Sequence, residues 1–83
     1  LDALFDKAVD VVLDSGRAST SFLQRKLGVG YSRGSKIMDQ LEEKGIIGAQ
    51  DGSKPREIKI NRQQWIQMQA NAPVPEFTAE NTE

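Results

Sequence analysis

One stretch of this sequence, residues 28–45 (GVGYSRGSKIMDQLEEKG), constrains the fold more than any other. Two glycines at its start indicate a tight turn, and the residues that follow have helical spacing. At about 100° per residue, one face of the predicted helix carries Gly34, Ile37, Met38 and Leu41. The opposite face carries Ser32, Lys36, Asp39, Gln40 and Glu43, with Arg33 at its edge. One face therefore packs against a core, and the other is open to solvent or to a partner.

The composition allows one small domain and excludes most kinds of active site. The chain has 83 residues, 37% of them hydrophobic, which suffices for a three-helix core but not for a cleft between domains. It has no cysteine and no histidine, which excludes disulfides, thiolates, imidazole bases and histidine-ligated metals. No apolar run approaches the ~18 residues of a membrane span. We expect a cytoplasmic module of a longer protein, with no catalytic residue, cofactor or metal.

The charges are unevenly distributed, although the net charge at pH 7 is only -1. Residues 17–36 contain five basic residues and no acidic residue, so this segment can present a positive surface. The two ends of the chain are acidic. Near the N-terminus the acids recur at every fourth position, at Asp2, Asp6, Asp10 and Asp14. On a helix this row makes one anionic stripe, which is either a solvated face or a surface for a basic protein.

Two helices are predicted before the central stretch. Residues 2–15 have apolar side chains at helical spacing, with Asp2 as the N-cap and Gly16 as the stop signal. Ser19 is the predicted N-cap of a second, short helix that ends near Leu27. The buried side of this second helix is expected to consist of Phe22, Leu23 and Leu27.

Two short strands are predicted after the central stretch. Residues 46–50 and 56–60 are β-capable runs on either side of the turn-rich segment DGSKP. Three helices followed by a hairpin predict an α+β winged-helix fold, in which a helix-turn-helix core carries a β-hairpin wing. Lys54 and Arg56 flank Pro55 in this wing. They either contact phosphate or form a solubilising pair of loop charges.

The C-terminal part of the chain adds a short helix and a tail. Asn61 and Gln64 have the spacing of a capping box, which predicts a fourth helix that docks Trp65 on the domain. We therefore divide the chain into a winged-helix domain at 1–60, a C-terminal helix at 61–71 and a disordered acidic tail at 72–83.

The polar face of the third helix has two interpretations. Its mixture of hydroxyl, ammonium, carboxylate and amide groups is the mixture that reads base edges in a DNA major groove. The alternative is a mixed-charge face that only contacts solvent. The residues alone leave these two interpretations about equal.

Residues 4–58 resemble the C-terminal γ domain of the FtsK/SpoIIIE family of bacterial DNA translocases. The run ASTSFLQRKLGVGYSRG and the wing segment GSKPREI carry the resemblance. It implies a winged helix that reads short, skewed, polar chromosomal sequences in double-stranded DNA. This reading would orient a hexameric, membrane-anchored ATPase during cell division, sporulation and chromosome partition. The resemblance also implies a second partner, a XerD-like tyrosine recombinase. We expect the isolated domain to be monomeric without DNA.

The resemblance assigns roles to particular residues. It implies base reading by Ser32, Arg33, Lys36 and Asp39. Phosphate or wing contacts are expected from Arg17, Arg25, Lys26, Lys54 and Arg56. The family commonly has Asn or Thr, Arg and Glu where this chain has Ser32, Lys36 and Asp39. Because lysine lacks the planar fork of arginine, it would reach guanine as a single-point donor.

Overall fold

The computed structural model describes residues 1–70 of the chain. These residues form four α-helices. They are α1 (Phe5–Ser15), α2 (Thr20–Leu27), α3 (Tyr31–Glu43) and α4 (Arg62–Ala70). The predicted tail at 72–83 lies outside the described residues.

Helices α1, α2 and α3 pack on one another around a single apolar core. The core cluster consists of Phe5, Ala8, Val9, Val12, Ala18, Leu23, Ile37, Met38, Leu41, Ile46, Ile47 and Trp65. Burial of each large apolar side chain in such a core contributes about 1.5–3 kcal/mol. The core therefore holds three short helices that would be marginal in isolation.

The start of α2 and its junction with α3 have the caps that the sequence predicts. Ser19 Oγ accepts a hydrogen bond from the Phe22 amide at 3.1 Å, which confirms Ser19 as the N-cap of α2. Gly28 has a φ of 68° and ends α2 in the left-handed region, where a side chain would be strained. Only residues 28–30 separate the two helices, so α3 turns back on α2 directly.

Gly34 allows α2 and α3 to approach each other closely. A Cβ atom at this position would lie 3.1 Å from Gln24 Cγ and 3.5 Å from Thr20 Cγ2. Gly34 is buried together with the three apolar residues that share its face of α3. This glycine is therefore a packing device, and the close contact between the helices offsets the ~1 kcal/mol that glycine costs in a helix.

The predicted wing is present only as a loop closed by one antiparallel pair. Ile47 and Ile58 form an isolated β-bridge, and no longer strand occurs within residues 1–70. On one side of the bridge, the Ile46 amide donates to the Leu41 carbonyl and so completes the end of α3. On the other side, the Gly48 carbonyl accepts from Arg56 Nε at 2.9 Å. The Lys59 amide still donates to the Ile46 carbonyl, and the Gly48 amide donates to the Glu57 carbonyl, so each flanking pair makes one ladder bond instead of two.

The first helix begins later than predicted. Asp2 is not its N-cap: Leu4 precedes the first helical residue, and no side chain caps the end. Asp2 Oδ1 instead accepts from the Leu4 amide at 2.8 Å, in a turn just before the helix. The predicted stop at Gly16 is confirmed by its left-handed φ of 72°.

The predicted fourth helix is present and is fastened at its start by a capping box. The Gln64 amide donates to Asn61 Oδ1 at 2.8 Å, and the Asn61 amide donates to Gln64 Oε1 at 2.9 Å. Trp65 is buried and meets the Phe5 ring edge-on, with 6.3 Å between ring centroids. Helix α4 therefore contributes to the core rather than lying free of it.

We expect Trp65→Ala to lower the free energy of unfolding by about 3–5 kcal/mol, because it leaves a cavity against Phe5. Ile66→Ala is the matched control, since Ile66 lies next to Trp65 on the same helix but is 57% exposed. Its effect should stay within about 0.5 kcal/mol. Urea denaturation followed by circular dichroism measures both, and equal small effects would contradict the docking of α4.

Substitutions at Gly34 should separate helix propensity from packing. Gly34→Ala should change stability by less than about 1 kcal/mol, because the propensity gain offsets a contact that the half-buried Gln24 side chain can relieve. Gly34→Val should cost about 2 kcal/mol or more, because its extra methyls meet Thr20. The same denaturation measurement applies, with Ser32→Val as the exposed control on α3. An equal cost for both valines would show that the close approach is absent.

Candidate nucleic-acid interface

The polar face of α3 is exposed. Ser32, Lys36 and Asp39 are all accessible, while the opposite face of the helix packs into the core. Within residues 1–70, neither Lys36 nor Asp39 forms an ion pair. The functional groups of these two side chains are therefore open to an external partner.

Arg33 differs from these three residues because it is held by an acid from outside α3. Its Nε and Nη2 atoms donate to the two carboxylate oxygens of Asp2, at 2.9 and 2.8 Å. The Arg33 side chain stays 48% exposed, while that of Asp2 is 10% exposed. The N-terminal segment thus reaches the start of α3, a contact that the sequence analysis did not foresee.

An open groove lies between the start of α2 and the loop that follows Gly48. Four of the five residues predicted to contact phosphate line it, namely Arg17, Arg25, Lys54 and Arg56. Hydroxyl groups also line it, those of Ser19, Thr20, Ser21 and Ser53. Within the described part of the chain, no acidic side chain lines this groove. Cationic side chains and hydroxyl groups bind phosphate oxygens, and a site without carboxylates does not repel the phosphate charge.

Phe22 organises three cations, one just before α2 and two in its last turn. The Arg17 guanidinium carbon lies 5.0 Å from the centroid of the Phe22 ring, and that of Arg25 lies at 5.7 Å. Lys26 Nζ lies at 5.7 Å from the same centroid, although Lys26 does not line the groove. Phe22 is buried but is not part of the core cluster. These cations cover the ring in place of core residues, through cation–π contacts that also restrict their side chains.

The two predicted wing cations have different environments. Lys54 is exposed and makes only a long ion pair, 3.6 Å from Nζ to Asp51 Oδ2. The Arg56 side chain is only 12% exposed, and its Nη2 donates to Glu42 Oε1 at 2.8 Å. Arg56 also holds the Gly48 carbonyl, so it fastens the loop to α3. This leaves Lys54 as the more available cation of the loop.

Two further features of α3 were not predicted from the sequence, namely the exposure of Tyr31 and the contact of Gln40. Tyr31 is the first residue of the helix and is 67% exposed beside Ser32. Gln40 was placed on the polar face, but its Oε1 accepts from the Asp2 amide at 2.9 Å. The position of an aromatic residue directly after the turn glycine could have indicated that Tyr31 is exposed. The contact of Gln40 joins residues 38 positions apart, so no local pattern predicts it.

Residues 1–61 match the family model of the FtsK gamma domain. The chain belongs to this family. It is 54% identical over 61 residues to the DNA translocase FtsK of Clostridium tetani, and 54% identical over 63 residues to that of Caldanaerobacter subterraneus. It is 37% identical over 67 residues to the DNA translocase SpoIIIE of Bacillus subtilis. The predicted family is therefore confirmed.

The matched region is a small part of each relative. The three alignments cover 74%, 76% and 81% of this chain but only 8%, 9% and 8% of the relatives. The chain thus spans less than a tenth of their length. In the described residues of this gamma domain, no helix is both long and apolar enough to cross a membrane.

The acidic row of this gamma domain is largely neutralised within the fold. Arg62, the first residue of α4, donates to Asp10 and Asp14 at 2.6 Å each, and Asp2 is paired with Arg33. Only Asp6 of the row has no ion-pair partner among residues 1–70. The predicted anionic stripe is therefore not a continuous free surface.

The pairing of Asp2 should be visible in the acid stability of the domain. Hydrogen bonds from Arg33, and then from the Leu4 amide, lower the pKa of Asp2 from 3.8 to about 2. The folded state therefore binds this proton less readily than the unfolded state does. The resulting stabilisation is complete by about pH 5, above the unfolded pKa of 3.8, and is lost as the pH falls toward about 2.

We expect the free energy of unfolding of the wild type to fall more steeply than that of Asp2→Asn between about pH 5 and about pH 2. Urea denaturation at a series of pH values measures the difference. Asp6→Asn, which removes an exposed and unpaired carboxylate, should keep the wild-type slope. Parallel profiles for the wild type and Asp2→Asn would contradict the ion pair.

Proposed function

We propose that this gamma domain binds double-stranded DNA sequence-specifically and that it thereby orients a DNA translocase on the chromosome. The observation that carries the proposal is the open polar face of α3 together with a groove that is lined by basic residues and, among residues 1–70, by no acidic one. Two chemically different surfaces suit the two kinds of contact that sequence-specific proteins make, to bases and to phosphates. Relatives named DNA translocases support DNA as the ligand.

In this proposal α2 and α3 act as a helix-turn-helix, and the loop between Ile47 and Ile58 acts as the wing of a winged helix. Helix α3 enters the major groove, which is wide enough to admit one helix. The start of α2 and the loop then face the sugar–phosphate backbone. The module itself is not catalytic: the ATPase belongs to the rest of a hexameric, membrane-anchored parent, with this domain on the cytoplasmic side.

The base contacts are assigned to α3. Lys36 donates to O6 or N7 of a guanine, and Asp39 accepts from the N4 amino group of a cytosine. Ser32 and Arg33, in the first turn of α3, hold a base or a phosphate. Tyr31, exposed at the same end, adds a hydroxyl within reach of the backbone.

The phosphate contacts are assigned to the groove. Arg17, Arg25 and Lys54 donate to phosphate oxygens, and Lys26 adds positive charge beside them. Arg56 has a supporting role, because its ion pair and its bond to Gly48 hold the loop that carries Lys54. These contacts give affinity without reading the sequence.

A XerD-like tyrosine recombinase is the second candidate partner. Ile66 and Met68 on α4 are exposed apolar side chains, at 57% and 39%, and they favour contact with a protein. The pairing of three of the four acids in the row leaves less free negative charge for such a contact. We therefore rank this function second.

The first experiment is a fluorescence-anisotropy titration of the domain against two duplexes at two salt concentrations. One duplex is G-rich and asymmetric between its strands, and the other is its scrambled form. A preference that persists while both affinities fall with salt supports base reading on an electrostatic background. Equal binding that salt abolishes would overturn sequence specificity. An absence of binding to both, with capture of a purified recombinase, would favour the second candidate.

We expect Lys36→Ala to reduce the preference for the G-rich duplex by ~1–3 kcal/mol, because it removes a base contact. Lys54→Ala should weaken binding to both duplexes alike. It should also lower the slope of log affinity against log salt concentration by about one, the value for one phosphate contact. The same titrations measure both effects. Lys7→Ala is the control, since it removes an exposed lysine of α1 with the same charge change.

Equal losses on both duplexes for Lys36→Ala and Lys54→Ala would contradict the division between base and phosphate contacts. Neutralising Arg17, Arg25 and Lys54 together tests the groove as a whole. DNA binding that survives this triple substitution would show that the DNA surface lies elsewhere on the domain.

A further inference from the structure

Asp2 lies along α3, although it precedes α1 in the chain. Its carboxylate binds Arg33, and its amide donates to Gln40 Oε1, two turns further along the helix. The positive charge of Lys36, which lies between these two residues in the sequence, also acts on the Asp2 carboxylate. Asp2 is thus held at two points of α3, next to two of the residues assigned to base reading.

The geometry of the pair leaves part of Arg33 free. The Asp2 carboxylate accepts hydrogen bonds from the side edge of the guanidinium, which consists of Nε–H and one N–H of Nη2. The end edge, which consists of Nη1 and the second hydrogen of Nη2, has no hydrogen-bond acceptor among residues 1–70. The end edge presents two parallel donors, the arrangement that binds two acceptors of a guanine or of a phosphate.

We infer that Asp2 is a positioning residue for DNA recognition: it holds the side edge of Arg33 so that the end edge points outward to a pair of acceptors on DNA. This inference rests on the proposed function. A flexible arginine must lose its rotamer freedom when it binds, and a carboxylate that fixes it beforehand reduces that loss. The second anchor, through Gln40, fixes the carboxylate itself.

A competing possibility is that Asp2 occupies the place of a phosphate and blocks Arg33. The two roles predict opposite results for Asp2→Asn. Removal of a positioning residue weakens DNA binding, whereas removal of a blocking residue strengthens it. Asparagine suits this test because its side-chain oxygen can still accept from the Leu4 amide, so the turn before α1 is retained.

The experiment measures the affinities of the wild type, Asp2→Asn, Arg33→Ala and the double variant for the G-rich and scrambled duplexes. Asp6→Asn provides the matched control for loss of one negative charge, since Asp6 is exposed and has no ion pair within the described chain. Relative to Asp6→Asn, Asp2→Asn should bind the G-rich duplex about threefold to tenfold more weakly. In the Arg33→Ala background, the same substitution should change affinity by less than about twofold.

The scrambled duplex distinguishes the two kinds of acceptor on DNA. A loss confined to the G-rich duplex identifies a base as the ligand of Arg33, and an equal loss on both identifies a phosphate. Tighter binding by Asp2→Asn than by Asp6→Asn would overturn the positioning role. So would a loss of the same size in the Arg33→Ala background, because Asp2 would then act through the fold.

A second measurement needs no DNA. In the free protein, the Nε–H of Arg33 should give a resolved nuclear magnetic resonance signal that exchanges slowly with water, and Asp2→Asn should abolish it. Its absence from the wild type would overturn the proposed geometry. If the signal behaves as expected but the wild type binds neither duplex, the proposed function fails instead. If the wild type binds DNA and Asp2→Asn behaves like Asp6→Asn, only the role of Asp2 fails.

Discussion

The close packing of α3 on α2 is the contact on which the rest of this structure depends. Gly34 brings the two helices together, and Ile37, Met38 and Leu41 continue the same face into the core. While this face of α3 is buried, the polar side chains Ser32, Lys36 and Asp39 on the opposite face are exposed. The orientation of the candidate base-reading side chains therefore follows from the packing of apolar ones.

The fold also decides which charges remain available. Three arginines donate hydrogen bonds to carboxylates inside the domain, namely Arg33, Arg56 and Arg62. These pairs fasten the N-terminal segment, the loop after Gly48 and α4 to the three-helix core. Arg17 and Arg25 instead pack on Phe22 and line the groove. A positive surface thus exists on a protein with a net charge of -1, because no acid among residues 1–70 lines the groove and five acids of this part of the chain form ion pairs.

Local signals predicted much of this architecture. The caps at Ser19 and Gly28, the apolar face of α3 and the capping box at the start of α4 depend on residues a few positions apart. The predicted β-hairpin is reduced to one bridge, because the Ile46 amide and the Gly48 carbonyl bond to α3 and to Arg56. β-Propensity could not anticipate these competing bonds, since it depends strongly on context.

The sequence alone determined the helices, the polar and apolar faces of α3, the basic segment at 17–36 and the family. These depend on periodicity, on local capping and on residue identity, all of which are read along the chain. Only the tertiary structure decided that Arg33 is held by Asp2, that Arg56 supports the loop and that Arg62 neutralises two acids. Those pairs join residues 14 to 52 positions apart. Whether such charges meet depends on how the helices pack, and no local pattern contains that information.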